Sequence, residues 1–196
     1  MRDPVTFYDL DDLAESLRSA SPAEHAKAAA DVVSWAEAPH PEDIPFPGDM
    51  LVAAGDLLGR GGDLPGALRL YQRAAELGTS EGPDARAYAV DSLFQLNQPE
   101  EARLLSETLR RARSDRVDTY LAMASVWESH GDLLQSLAWA NRGIALAEDT
   151  DGPPADLGLL CVARWRVRQA LHMEPDEYDE LGMGFLDAVD EEFGDG

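Results

Sequence analysis

The residues of this chain that can move protons, hold metal or attack a carbonyl are spaced too widely to build the usual constellations. His25, His40, His130 and His172 are scattered, with no HExxH or other short metal-ligand spacing, and no serine stands in a GxSxG elbow. Cys161 is the single cysteine and lies in the run LGLLCVARW. It can form neither an intrachain disulfide nor a cysteine-based zinc site, and it reads as a buried small apolar residue. Gly59-Arg60-Gly61-Gly62 has the glycine content of a phosphate loop. It lacks the following Lys-Ser or Lys-Thr, however, and lies between two helical patterns rather than after a strand. Carboxylates are abundant but none is paired with an identifiable base. The expectation is a protein that is not an enzyme, with no catalytic residue, no metal and no cofactor.

The carboxylates matter instead through their distribution. The 196 residues carry a formal charge of −22. Residues 1–50 hold 11 acids and 3 bases, residues 51–173 hold 17 and 13, and residues 174–196 hold 10 acids and no base. A phosphate backbone is repelled by such a chain, so nucleic acid is not an expected partner, whereas basic proteins or peptides are. No run approaches the length of a membrane span and the first twelve residues have no secretory pattern, which predicts a cytoplasmic protein with no membrane partner. The oligomeric state is left open. Two arginine groups stand out, Arg110, Arg111, Arg113 and Arg116, and then Arg164, Arg166 and Arg168. They are expected to pair with neighbouring carboxylates or the acidic last helix as modest surface ion pairs, or alternatively to bind an acidic segment of a partner.

The elements that would position these groups read as helices throughout. Leu10, Leu13 and Leu17 predict a short amphipathic helix over about residues 8–19. Ser21-Pro22-Ala23-Glu24 has the N-cap serine, first-turn proline and third-position glutamate of a capping box, opening a helix to about Glu37. Pro39, Pro41, Pro45 and Pro47 then form a stiff linker, with Ile44 and Phe46 expected to tack it to the surface. From Gly48 the inter-helix turns recur. Gly62-Asp63, Asn97-Gln98 and Gly131-Asp132 lie 35 and 34 residues apart, close to the roughly 34-residue period of one helical-repeat class.

Around those turns the side chains follow one pattern. The first unit places Leu51, Ala54, Gly55 and Leu58 before its turn and Ala67, Tyr71 and Ala74 after it. The second has Arg86, Ala89, Val90 and Leu93, then Ala102, Ser106 and Leu109; the third has Tyr120, Met123, Ala124 and Trp127, then Ser136, Ala140 and Gly143. This resembles the tetratricopeptide repeat (TPR) family, well in the first and third units and degenerately in the second. The proline that often closes a unit is replaced by Thr79, Ser114 and Glu148. Tyr71, Tyr120, Trp127 and Trp139 are expected in the core. A last helix from about Pro175 carries a stripe of Tyr178, Leu181, Phe185, Val189 and Phe193, for which Leu157, Leu160 and Cys161 are the expected partners, with acids elsewhere as a solvating cap.

The resemblance implies an all-α, right-handed superhelical array. The expected layout is an N-terminal helical hairpin (1–38), a Pro-rich linker (39–47), three repeats (48–150) and a C-terminal capping hairpin with an acidic tail (151–196). It further implies that the first helix of each unit lines a concave face contacted by ligand. At the matching positions stand Asp49, Asp84 and Asp118, then Val52, Ala87 and Leu121, then Asp56, Asp91 and Ser125, then Phe94 and Glu128. Members that clamp a chaperone's C-terminal carboxylates use basic residues and asparagine there, so that activity is not implied. Asp49, Asp84 and Asp118 sit where acids favour their own helix starts. The ligand-binding candidates are therefore Asp56, Asp91, Val52, Ala87, Phe94, Leu121 and Glu128, in an adaptor or scaffold that binds a basic or mixed basic-apolar segment. The alternative is a regulatory subunit or inhibitor whose acidic ends act by charge mimicry.

Overall fold

Each helix in this chain begins and ends on an identifiable backbone device, and the devices repeat. The computed structural model describes residues 2–78, 81–150 and 153–193, with side chains as far as 191. These residues form α1 (Phe7–Ser16), α2 (Pro22–Glu37), α3 (Pro47–Arg60), α4 (Leu64–Leu77), α5 (Ala85–Gln95), α6 (Pro99–Ala112), α7 (Val117–Ser129), α8 (Leu133–Asp149), α9 (Pro154–Ala170) and α10 (Glu177–Phe193). No strand occurs among the described residues, so the fold is all-helical, with successive helices from α2 to α5, and again from α7 to α10, packed on one another as in a helical-repeat array. Ser21 and Glu24 make the expected reciprocal cap at the start of α2, and Thr6 with Asp9 makes another at α1. Phe193 lies in α10, but its side chain, like Thr79, falls outside the described residues.

Four inter-helix turns share one conformation. Gly62, Asn97, Gly131 and His172 have φ of 87°, 58°, 80° and 55°. In each the next residue's N–H reaches back five positions: Asp63 to the Leu58 carbonyl and Gln98 to Leu93 at 2.9 Å, Asp132 to Trp127 and Met173 to Arg168 at 3.0 Å. This is the Schellman closure of a helix, in which a left-handed residue lets the chain cover its last carbonyls. Asp63 and Asp132 then turn their carboxylates to the Gly66 and Gln135 amides, so one residue finishes a helix and caps the next. Burial repeats with the turns. Of the three sets of seven residues aligned from the sequence, only Leu58 and Arg86 are not buried. Gly55 shows why one of these positions is small: a Cβ there would stand 2.4 Å from the Tyr71 ring.

The chain divides into two compact units, Met1–Arg111 and Ala112–Gly196. In the first, Val5, Leu10, Val32, Met50, Leu51, Leu57 and Leu70 make a continuous core, and Ala67, Tyr71 and Ala89 a second cluster. The linker is not held by Ile44 and Phe46, which are both exposed, but by Pro45 and Asp43. The Asp43 carboxylate accepts from the Arg2 guanidinium and from the Val5 and His40 amides, which holds it well below the usual carboxylate range. Arg2 also lies over the Trp35 ring, 5.9 Å from its centroid.

In the second unit Tyr120, Met123, Trp127, Trp139, Ile144, Leu160, Cys161 and Val167 are buried, so with Tyr71 of the first unit all four aromatic core candidates lie inside. Burial pushes the Cys161 thiol up to about 11. Arg166 makes the expected surface pair, with Glu128, and Arg164 and Arg168 pair as expected with acids at the start of the last hairpin helix, but these two are not modest surface pairs. Arg164 is 7% exposed and donates to Asp176 and Asp179, while Arg168 donates to Asp179. The bend after His172 folds the chain back far enough to bring both acids there. The expected stripe meets α9 only in part: Phe185 packs on Gly158, where a Cβ would stand 2.3 Å from its ring, and Arg164 lies over Tyr178, but Leu181 is left out. Gly182 makes the close approach, where a Cβ would stand 2.8 Å from the Cys161 carbonyl, and Leu181 remains 53% exposed.

Candidate functional site

A run of small and polar residues on α3 leaves space between it, α1 and α5. Val52, Ala53 and Asp56 are one and four residues apart, which puts them along one side of α3. Together with Phe7, Leu10 and Asp11 from α1, Tyr88 from α5 and Gly82-Pro83 before it, they line a cleft of about 230 Å3. Asp11 and Asp56 also line an adjoining cavity of about 100 Å3 that ends at Arg60. All of these residues belong to the first unit.

Asp56 is the central group. Its carboxylate accepts from the Tyr71 hydroxyl at 2.6 Å. Burial raises its pKa, the Tyr71 hydrogen bond and Arg60 oppose that, and the Asp91 charge adds to it. Tyr71 stacks on Tyr88 with ring centroids 5.5 Å apart, and burial first, then Asp56, raises its phenol well above the usual range. The hydroxyl is thus a fixed donor. The cleft therefore presents an incompletely neutralised carboxylate, flanked by Asp11 and by apolar and aromatic walls. A guanidinium or ammonium entering it would gain a charge-assisted hydrogen bond and relieve the repulsion between Asp56 and Asp91.

The other candidates are distributed as follows. Asp91 accepts from Gln95 at 2.6 Å and is half-buried. Val52 lines the cleft. Ala87 is a correction: at 1% exposure it is part of the core, and the neighbouring Tyr88 supplies the α5 side of the cleft. Phe94 is half-buried in α5. Leu121 and Glu128 stand on α7 in the second unit, and Glu128 is engaged by Arg166 at 2.6 Å. Asp49, read as a helix-start acid, does more. Its carboxylate accepts from Phe46 at the start of α3 and from the Glu81 amide at 3.0 Å, tying the chain ahead of α5 to α3. Asp84 and Asp118 hold Arg86 and Arg116.

The sequence reading missed Asp11, Phe7 and Tyr88. The signal available for the first two was the amphipathic period of α1, whose Phe7, Leu10 and Asp11 fall at helical spacing. The arginines after α6's midpoint are locally paired, Arg110 and Arg111 with Glu107. Comparison with protein-family models and with curated proteins finds no match, so the functional reading rests on this geometry.

Proposed function

We propose that this chain is a non-enzymatic protein- or peptide-binding module of the tetratricopeptide-like helical-repeat class, an adaptor or scaffold that takes a basic or mixed basic-apolar segment in the cleft between α1, α3 and α5. The observation that carries this reading is the half-buried Asp56 carboxylate, raised in pKa by its burial, in an acid-flanked cleft with aromatic and aliphatic walls. Repeating helical hairpins with small residues at the crossings support the class, because stacked hairpins expose one long face for binding. The surrounding negative charge favours a cationic partner and speeds its encounter.

The test is fluorescence anisotropy against a peptide panel with Lys or Arg beside apolar residues. Replacing Asp11 and Asp56 together by Asn should weaken binding by about tenfold or more and reduce its salt dependence. Binding should also fall with acid. A ligand cation favours ionised Asp56, so affinity is complete above that group's raised pKa and is lost as pH falls through it. Equal binding by the double variant would remove the cleft from consideration. Retention of all binding by residues 174–196 on an unrelated carrier would instead support the charge-mimic reading.

A further inference from the structure

The end of α8, the first half of α9 and α10 enclose a groove of about 830 Å3 within the second unit. Its floor is apolar, formed by Leu157, Leu181 and Phe185. Leu181 keeps 53% of its surface exposed because Gly182 and Asp179, not the leucine, make the contact with α9. Gly184 leaves the groove open: a Cβ placed there would meet nothing within 4 Å. The rim carries Glu148, Glu177 and Glu180. No Lys or Arg follows Arg168 in the sequence, and the nearest arginines are engaged, Arg164 and Arg168 by Asp176 and Asp179.

We propose that this groove is a second docking site, separate from the cleft of the first unit, for a partner segment bearing bulky apolar side chains flanked by Lys or Arg. The volume lies within the range of pockets that hold ligands, and the exposed Leu181 with the half-buried Phe185 offers apolar area that a partner's side chains would remove from water. The rim selects the sign of the flanks. A second copy of this chain would bring an equally acidic rim against the first, whereas Lys or Arg beside the apolar anchors complements it. This is the arrangement of a helix laid in a groove, with anchors at three- and four-residue spacing.

The probe is a synthetic Leu/Lys amphipathic peptide, with a same-composition control whose apolar residues no longer share a face. Both are measured by anisotropy against the full chain. The amphipathic peptide should bind the parent about tenfold or more tightly than the control. Gly184→Leu, which fills the groove from an open position, should weaken binding by about tenfold or more, and Leu181→Glu should do the same. Glu177→Gln with Glu180→Gln should weaken it a few-fold and flatten its salt dependence. The loss caused by Gly184→Leu should be just as large in a protein that also carries Asp11→Asn and Asp56→Asn, which separates this site from the first-unit cleft.

A photo-crosslinking residue in the peptide gives a readout independent of these variants. Crosslinks on Leu157, Leu181 or Phe185 support the groove, and crosslinks confined to residues 7–88 overturn it. Equal binding of both peptides, or unchanged binding by a Gly184→Leu protein with an unaltered melt, also overturns it. So does concentration-dependent self-association of the parent that Gly184→Leu abolishes, since the occupant would then be a second copy.

Discussion

At the scale of single residues, two glycines in helices carry opposite consequences. Gly55 has no room for a methyl group, because a Cβ would stand 2.4 Å from the buried Tyr71 ring, while Gly184 has open space around it. Ala is the better helix former by about 1 kcal/mol. Gly184→Ala should therefore raise stability by a few tenths to about 1 kcal/mol, while Gly55→Ala should lower it by about 1 to 3 kcal/mol despite the same propensity gain. Urea denaturation of the two variants measures both signs. Ala67, 1% exposed at the other side of the same crossing, should behave like Gly55 when replaced by Phe, losing about 1 to 3 kcal/mol. Cys161 gives a chemical check. Buried, with its thiol pushed up to about 11, it should resist a disulfide reagent at pH 8 in the native protein and react only on unfolding.

At the scale of elements, the C-terminal hairpin hangs on the four charged groups between α9 and α10. Removing Arg164 leaves the buried Asp179 and its neighbour Asp176 with Arg168 alone, so Arg164→Ala should cost about 3 kcal/mol and make residues 174–191 sensitive to limited proteolysis. Acid should act at the same place. Asp176 is lowered to about 2, first by its hydrogen bond with Arg164. Its contribution is present above the ordinary Asp value of about 4 and is lost as pH falls from there toward about 2, which hydrogen exchange of α10 amides should report. This network is also where the sequence was hardest to read. Arg164, Asp176 and Asp179 look like surface charges because their burial comes from the bend after His172, a tertiary event with no periodic trace. Leu181 was misassigned for a related reason. Hydrophobic spacing finds a stripe whose Phe185 does pack on α9, but the closest approach is at Gly182, beside Leu181, and periodicity does not register the close approach of a residue without a side chain. The turns and the small-residue crossings were legible, since a fixed period exposes them. Asp56 was legible by position, whereas its cleft depends on where α1 lies.

At the scale of the whole molecule, charge and core are separately distributed. Each unit has its own buried cluster, while the C-terminal 23 residues hold acids without a base. Residues 1–112 should therefore give a helical circular-dichroism spectrum and a cooperative melt when expressed alone. Ending the chain at Met173 should have the opposite effect, uncovering Leu160 and Cys161, both 0% exposed, and causing association on size exclusion. Neutralising Asp187, Asp190, Glu191 and Glu192 should leave the fold intact, since Asp187, Asp190 and Glu191 are exposed. The shared turn has a further consequence. Two of its four left-handed positions are occupied by glycine and two by Asn97 and His172. A side chain in that conformation stores roughly 1 kcal/mol of strain, less for asparagine. The chain thus holds latent stability at two surface joints, which glycine at 97 or 172 would release without altering a single buried contact or either candidate binding surface.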